Sequence, residues 1–309
     1  MEQMVKNQNR VIKKQTKDLI FYIFLLIVPV VQFILFYVCV NFNSVLLSFQ
    51  KISTLEGTTT FTFDNIINTF QLMTTDKTML TIAGTSLLSY ALILLIGTPL
   101  GLFFSYYIYK KFPFSSGFRV LLFLPSIISA IVMVTIFRFF VDRAVPEFFN
   151  KYLGTYMLGL TENTETRYAT VIFYNIWIGF GTSVLMYSNS MSGISPDIVE
   201  SAHLDGATGL REFWHITLPL IYPMLTTFLI TGVIGIFNNQ INLYSFYGGG
   251  APLDLQTFGY YIYAATKKAG TSRSEYPPLA AMGLLLTCVA VPLTLSIKYL
   301  LERFGPSED

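Results

Sequence analysis

The sequence is poor in charged residues. Only 12% of its 309 residues are Asp, Glu, Lys or Arg, whereas 53% are hydrophobic. Soluble domains carry about 25% charged residues, so this chain has too few to cover a water-exposed surface of its size. A protein dissolved in lipid has no such need, and the composition therefore indicates a membrane protein. The net charge of +2 gives no indication of a nucleic-acid partner.

Residue types that build metal and catalytic sites are also scarce. The two cysteines, Cys39 and Cys288, both lie in apolar runs, and His203 and His215 are the two histidines. Their spacing matches no metal-ligand pattern, so no metal site is predicted. The sequence lacks a phosphate-binding G-x-x-x-x-G-K-[ST] loop and the catalytic motifs H-E-x-x-H and G-x-S-x-G. We therefore expect no cofactor in this chain and interpret it as a protein that is not an enzyme.

Long apolar runs are abundant, and six of them are long enough to cross the hydrocarbon core of a membrane. The predicted spans are about 19–40, 82–108, 118–140, 169–190, 217–237 and 279–300. The apolar core of the first is longer than that of a secretory signal, and no small-x-small cleavage site follows it. The sequence therefore predicts an all-α membrane protein, with a basic tail over residues 1–18 and a six-helix transmembrane domain over 19–309.

The distribution of Lys and Arg predicts the orientation of the spans. Basic residues close to the membrane concentrate in the tail and in the short 109–117 connection: Lys6, Arg10, Lys13, Lys14, Lys17, Lys110 and Lys111. Short basic loops stay in the cytoplasm, which places both termini there. The segment 191–216, between the fourth and fifth predicted spans, is then cytoplasmic as well.

Acidic residues are absent from the interiors of all six predicted spans. Carriers driven by protons or sodium generally place an ionisable group at membrane depth, because the coupling ion needs a titratable or anionic site. A stand-alone secondary carrier or channel for a small polar solute is therefore the less favoured alternative. The energy for any transport would have to come from another polypeptide.

The polar segment 191–216 has the pattern of an ordered structure. Its residues 195–197 (Ser-Pro-Asp) are typical of a helix start and Gly206 of a helix end, which predicts a helix over 196–204. A second short helical piece is predicted over 210–215. Membrane-surface helices are usually rich in Lys and Arg, whereas this segment has four acids and one base, Arg211. The composition favours docking to another protein over the membrane-surface alternative.

A signature in the same segment resembles a known family. Glu200-Ser201-Ala202 is followed after three residues by Gly206, and after nine more by Ile216-x-Leu218-Pro219. This resembles the E-A-A, G, I-x-L-P signature of the membrane subunits of binding-protein-dependent ABC importers, with Ser201 in place of the middle Ala. The sequences LDGA at 204–207, NIWIGFG at 175–181 and YGGGAP at 247–252 resemble the carbohydrate importers of that family, in particular the larger permease of the maltose type.

The resemblance implies a role for the cytoplasmic segment. In that family it forms coupling helices that dock in a cleft of a separate ATPase, so Glu200 would make an ionic contact and Ala202 a small docking surface, with a turn at Gly206. The implied coupling residues are Glu200, Ser201, Ala202, Asp205, Gly206 and Ala207. The implied partners are a second homologous permease, a dimer of ATPase subunits that binds ATP and Mg, an extracytoplasmic sugar-binding protein and membrane lipid, in a bacterial plasma (inner) membrane.

Sugar recognition depends on amide hydrogen bonds and aromatic stacking. The main candidates for substrate binding lie at the end of the fifth predicted span: Asn238, Asn239, Asn242 and Tyr244. If the helix continues, Asn238 and Asn242 share one face; the alternative is that these amides only cap the helix end. Less favoured candidates, which could instead pack between helices, are Tyr90, Asn175, Trp177 and Tyr187.

Overall fold

The computed structural model describes residues 2–53 and 58–306, with side chains described from residue 17 onward. Helices dominate this part of the chain. The α-helices are Glu2–Gln32, Val40–Ser48, Asp64–Thr75, Lys77–Leu92, Thr98–Tyr109, Ser115–Ile127, Ala130–Phe139, Val145–Tyr152, Arg167–Ser192, Pro196–Leu204, Leu210–Glu212, Leu218–Leu220, Tyr222–Asn238, Leu243–Tyr247, Phe258–Ala269 and Tyr276–Phe304. Short π-helical segments join several of them: Phe33–Cys39, Ile93–Gly97, Phe140–Ala144 and Phe213–Thr217. Two 3₁₀ turns complete the set: Leu253–Leu255 and Arg273–Glu275.

Four continuous helices in the described residues are long and apolar enough to cross a membrane. They are Lys17–Ser48, Lys77–Tyr109, Arg167–Ser192 and Arg273–Phe304. These helices contain the predicted spans 19–40, 82–108, 169–190 and 279–300. Many of their large apolar side chains are exposed, as expected of helices that face lipid.

The other two predicted spans, 118–140 and 217–237, are not straight helices. The first is divided into Ser115–Ile127 and Ala130–Tyr152, which meet at 104°, and the second into Leu210–Leu220 and Tyr222–Asn238, at 69°. Ile128 and Ser129 have extended backbone angles, which end the first helix between the two halves. The described residues therefore contain four candidate spans, or up to six if each bent pair counts as one.

The described residues are predominantly helical, as the all-α prediction requires, and they also include one small hairpin. Strands Gln50–Ile52 and Thr59–Phe61 pair antiparallel, with Gln50 opposite Phe61. Phe61 stacks on Phe49 with ring centroids 5.6 Å apart, which agrees with the preference of aromatic residues for strands. In residues 2–53 and 58–306 the architecture is thus helical with one two-stranded exception.

The chain divides into two compact units, residues 1–67 with 273–284 and residues 68–272 with 285–309. The first unit begins with a helix that runs unbroken through residue 18, where the sequence suggested the end of a tail. The second unit contains three clusters of buried apolar side chains.

The Arg167–Ser192 helix of the second unit packs closely on the Thr98–Tyr109 and Ser115–Ile127 helices. A Cβ atom at Gly181 would overlap the backbone carbonyl of Leu122. Glycine is therefore required for this approach, in the way that small residues permit close packing of helices in membranes. The close contact fixes one wall of the site described next.

Candidate functional site

A cavity of about 310 Å³ lies within the second unit, mainly between three of its helices. The Lys77–Tyr109, Arg167–Ser192 and Tyr222–Asn238 helices supply most of its walls. The residues that line it are Ser86, Ser89, Tyr90, Ile93, Leu94, Gly97, Thr98, Asn175, Ile176, Gly179, Phe180, Ser183, Tyr187, Phe228, Thr231, Gly232, Gly235, Ile236, Asn239, Ile241 and Thr257.

The lining follows helical periodicity. On the Arg167–Ser192 helix, Asn175, Gly179, Ser183 and Tyr187 recur every four residues and so form one stripe along the cavity. The two other wall helices carry similar stripes of small, hydroxyl and aromatic side chains. The cavity is therefore a groove that runs along the faces of these helices, with lining residues at several positions along each helix.

The chemistry of the lining is polar but uncharged. Among the described residues that form the walls, none is acidic or basic. The hydroxyl groups of Ser183 and Tyr187 and the amide nitrogen of Asn239 have no hydrogen-bond partner in the described part of the chain. Such groups can bind hydroxyl-bearing, neutral ligands, whereas a charged ligand would be left without a countercharge.

Aromatic side chains in the walls are held in place by their neighbours. The ring of Tyr187 packs on Phe228, with centroids 5.0 Å apart. A Cβ atom at Gly232 would lie 2.7 Å from the ring of Tyr90, so the absence of a side chain there makes room for that ring. These rings present fixed faces on which a sugar ring could stack.

Four of the predicted substrate residues line the cavity: Asn239, Tyr90, Asn175 and Tyr187. The side chain of Asn175 is occupied by the protein itself. Its amide nitrogen donates to the carbonyls of Val171 and Ile241, both at 2.8 Å. Asn175 therefore supports the cavity wall through its hydrogen bonds with the backbone.

The other predicted substrate residues lie outside the lining: Asn238, Asn242, Tyr244 and Trp177. The helix ends at Asn238, and Asn242 has a φ of +59°, so the continuous helical face expected for these two residues does not form. The amide nitrogen of Asn242 donates instead to Oδ1 of Asn175 at 2.8 Å. The ring of Tyr244 packs on Tyr263, and that of Trp177 on Phe137.

Several lining residues had no role in the sequence analysis: Ser86, Ser89, Phe180, Ser183, Phe228, Thr231 and Thr257. The signal that could have found most of them is the spacing of hydroxyl, glycine and aromatic residues along single helix faces. Ser86, Ser89 and Tyr90 show that spacing, at intervals of three and four residues. Thr257 follows no such pattern, because it reaches the cavity from a distant segment.

The predicted helix in the polar segment forms over Pro196–Leu204 and is called the loop helix below. Gly206 has a φ of +79°, which favours glycine, and the amide of Ala207 donates to the carbonyl of Ala202 at 2.9 Å. Glu200, Ser201, Asp205 and Gly206 are exposed, and Ala207 is half-buried. Ala202 is only 6% exposed, so its side chain packs inside the chain and does not offer the small docking surface expected of it.

The second helical piece is longer than expected. It begins at Leu210, as predicted, but continues past His215 through a π-helical segment to Leu220. Around it, Leu204 is 90% exposed, Leu210 65% and Trp214 53%. The exposed acids of the loop helix therefore lie in a segment that also exposes large apolar side chains.

Glu212, which had no role in the sequence analysis, is buried at the base of this segment. Its Oε1 lies 2.6 Å from Nζ of Lys110, and its Oε2 lies 2.9 Å from Nε2 of His203. Burial alone would raise the pKa of Glu212, but the contacts with Lys110 and His203 outweigh it and hold that pKa below its ordinary value. The carboxylate is therefore charged at neutral pH.

A family model with the description "Binding-protein-dependent transport system inner membrane component" matches residues 97–307. The chain belongs to this family. It is thus an inner-membrane, multi-pass permease component of a transport system, and the alternative of a carrier or channel working alone is set aside. The match includes both the loop helix and most of the cavity walls.

The permease is also similar to curated proteins and to a solved structure. It is 26% identical to the multiple sugar-binding transport system permease protein MsmF of Streptococcus mutans, over 88% of this chain and 92% of that protein. It is 25% identical to the arabinooligosaccharides transport system permease protein AraP of Halalkalibacterium halodurans, over 65% of this chain and 63% of that protein. The crystal structure of a bacterial alginate ABC transporter with an alginate pentasaccharide-bound periplasmic protein contains a chain with the same fold, with a TM-score of 0.75 and 21% identity over 94% of this chain and 96% of that one.

Proposed function

We propose that this chain is the permease subunit of an ATP-driven importer of sugars or oligosaccharides and forms half of the translocation pathway. In this proposal each bent helix pair contributes one span, the second of them from residue 217 onward, which gives six spans with both termini and residues 191–216 in the cytoplasm. The basic residues near the first span and in the 109–117 connection support that orientation.

The observation that carries the proposal is the uncharged cavity with free hydrogen-bond donors. Its lining combines the hydroxyl groups of Ser183 and Tyr187, the amide of Asn239 and the aromatic rings of Tyr90 and Phe228. Hydroxyl-rich rings bind to such a surface through hydrogen bonds and stacking without needing a countercharge. The sugars in the names of the two curated relatives agree with this chemistry.

The driving energy would come from a separate pair of ATPase subunits that bind ATP and Mg, because no phosphate-binding loop occurs in the sequence. The loop helix would dock on one of them. Its exposed carboxylates, Glu200 and Asp205, are available to a basic partner, with Ser201, Gly206 and Ala207 beside them. Closure of the ATPases would move the loop helix and switch the pathway between its two access states.

Two further partners complete the proposal. A second, homologous permease would supply the other half of the pathway. An extracytoplasmic sugar-binding protein would deliver the cargo to outer loops that include residues 243–278; the periplasmic protein in the alginate transporter complex supports such a partner. Within the cavity the cargo would meet no charged side chain among the described residues that line it.

Reconstitution of the complete transporter in vesicles tests the proposal. Uptake of labelled oligosaccharides should require all of the subunits, the binding protein and ATP. Uptake by the permeases alone, or uptake that is insensitive to ATP, would contradict it. A panel of neutral oligosaccharides, with an oligouronide of similar length for comparison, would also define the cargo.

A further inference from the structure

The carboxylate of Glu212 is the most deeply buried charge of the polar segment, with a side chain only 1% exposed. It contacts side chains from two other elements. Lys110 directly follows the Thr98–Tyr109 helix, and His203 lies on the loop helix. One carboxylate thus joins three elements of the chain.

We propose that Glu212 is a positioning residue, which holds the loop helix in a fixed relation to a helix of the cavity wall. The inference rests on the function proposed above, because it assigns to Glu212 the transmission of movement from the docked loop helix. Two connections support it. His203 lies three residues after Glu200, about one helical turn away, and Lys110 follows the Lys77–Tyr109 helix that carries Ser89 and Tyr90 of the cavity.

Packing around the carboxylate makes the connection stiff. The hydroxyl of Tyr106 donates to the carbonyl of Gly209 at 2.9 Å. The ring of Phe213, which is 1% exposed, packs on Tyr106 and Phe103 with centroids 5.1 and 5.3 Å away. The segment that follows the loop helix cannot slide along the wall helix without breaking these contacts.

The charge of Glu212 contributes more to a single arrangement of the three elements than to the stability of the fold. Removing two charges from water costs much of what their attraction returns, so an apolar pair of similar size would stabilise the fold about as well. Contacts between apolar side chains are not directional, so an apolar pair would be compatible with many different packings. Simultaneous contacts of Glu212 with Lys110 and His203 require one particular arrangement of the three elements, and this is the property that force transmission requires.

The test uses the complete reconstituted transporter and measures sugar molecules taken up for each ATP hydrolysed. The variant Glu212→Gln keeps the shape of the side chain and its ability to bond with His203 but removes its charge. We expect the ATPase subunits to stay bound and to hydrolyse ATP, while the transport ratio falls about tenfold, in the range of coupling between distant sites. The matched control is Glu302→Gln, which neutralises an exposed acid outside the cytoplasmic segment and should leave the ratio unchanged.

A second variant covers the case in which Glu212→Gln fails to accumulate. Lys110→Gln leaves the bond between Glu212 and His203 in place and should lower the ratio about threefold. A purely structural role predicts a different result, in which fewer complexes form but each has the normal ratio; that result would overturn the inference. The wild-type complex distinguishes the two proposals. If the wild type shows no ATP-driven uptake, both the proposed function and the inference are refuted. If the wild type is active and the variants have normal transport ratios, the inference alone is refuted.

Discussion

The cavity and the cytoplasmic segment differ in almost every physical property. The cavity is lined by uncharged side chains from several helices, and some of its donors are left free for a ligand. The loop helix is a single short element with exposed acids, in a segment with exposed large apolar residues. In the proposed function the cavity would recognise the cargo and the loop helix would receive the force, and Glu212, through its contacts with Lys110 and His203, would connect the two.

Among the substitutions considered, a charge reversal on the loop helix should reduce transport most. Glu200→Lys reverses an exposed charge on the loop helix and should lower ATP-driven uptake about 100-fold, because a like-charged contact would face the basic partner. The amount of protein in the membrane should not change. Glu302→Lys, at an exposed glutamate outside the segment, is the control. Uptake at the normal rate by the Glu200 variant would remove the docking role.

A second change alters the wall of the cavity without touching its chemistry. Gly181→Ala forces a Cβ atom into the backbone of Leu122 and should destabilise the subunit by about 1–3 kcal/mol. The neighbouring Gly179→Ala meets no atom within 4 Å and serves as the matched control. Thermal unfolding in detergent measures the difference, and equal stability of the two variants would show that the helices do not pack as described.

A smaller effect is expected from a single donor in the cavity. Tyr187→Phe removes a hydroxyl without a partner in the described chain, and the apparent affinity for sugar should fall about two- to tenfold. Tyr174→Phe is the control on the same helix, since that hydroxyl is buried outside the cavity and also without a described partner. Sugar-dependent uptake measures both. An effect of similar size in the two variants would argue against a direct contact at Tyr187.

The smallest expected difference in apparent sugar affinity is between variants of the adjacent residues Asn238 and Asn239. Asn239→Ala should weaken apparent sugar affinity about threefold, because Asn239 lines the cavity and its amide nitrogen has no hydrogen-bond partner among the described residues. Asn238→Ala should match the wild type, since Asn238 is exposed and outside the lining. Dose–response curves for uptake decide between them. The reverse order would show that Asn238, and not Asn239, contacts the substrate.

The two regions also differ in how far the sequence alone predicts them. The helix over Pro196–Leu204 forms with the predicted bounds because its start and its end at Gly206 depend on residues within a few positions. The burial of Ala202 was not predictable in this way. It depends on packing against the rest of the chain, which no local pattern reports.

The cavity was only partly predictable, because distant segments build it. The expected face of Asn238 and Asn242 assumed a continuing helix, but Ile241 and Asn242 have positive φ angles that turn the chain away. Hydrogen bonds from Asn175 to Ile241 and from Asn242 to Asn175 stabilise that turn, and they join residues more than sixty positions apart in the sequence. The buried charge of Glu212 was missed for the same reason, since its partner Lys110 is far away in the sequence.

In the proposed function, force enters this permease through the loop helix from a separate ATPase. Photo-cross-linking from position 200 in the assembled transporter can detect this contact. We expect a cross-link to the ATP-hydrolysing subunit, formed on the cytoplasmic side and altered by ATP. Labelling of position 200 from outside the cell, or no cross-link to that subunit in an active complex, would contradict it.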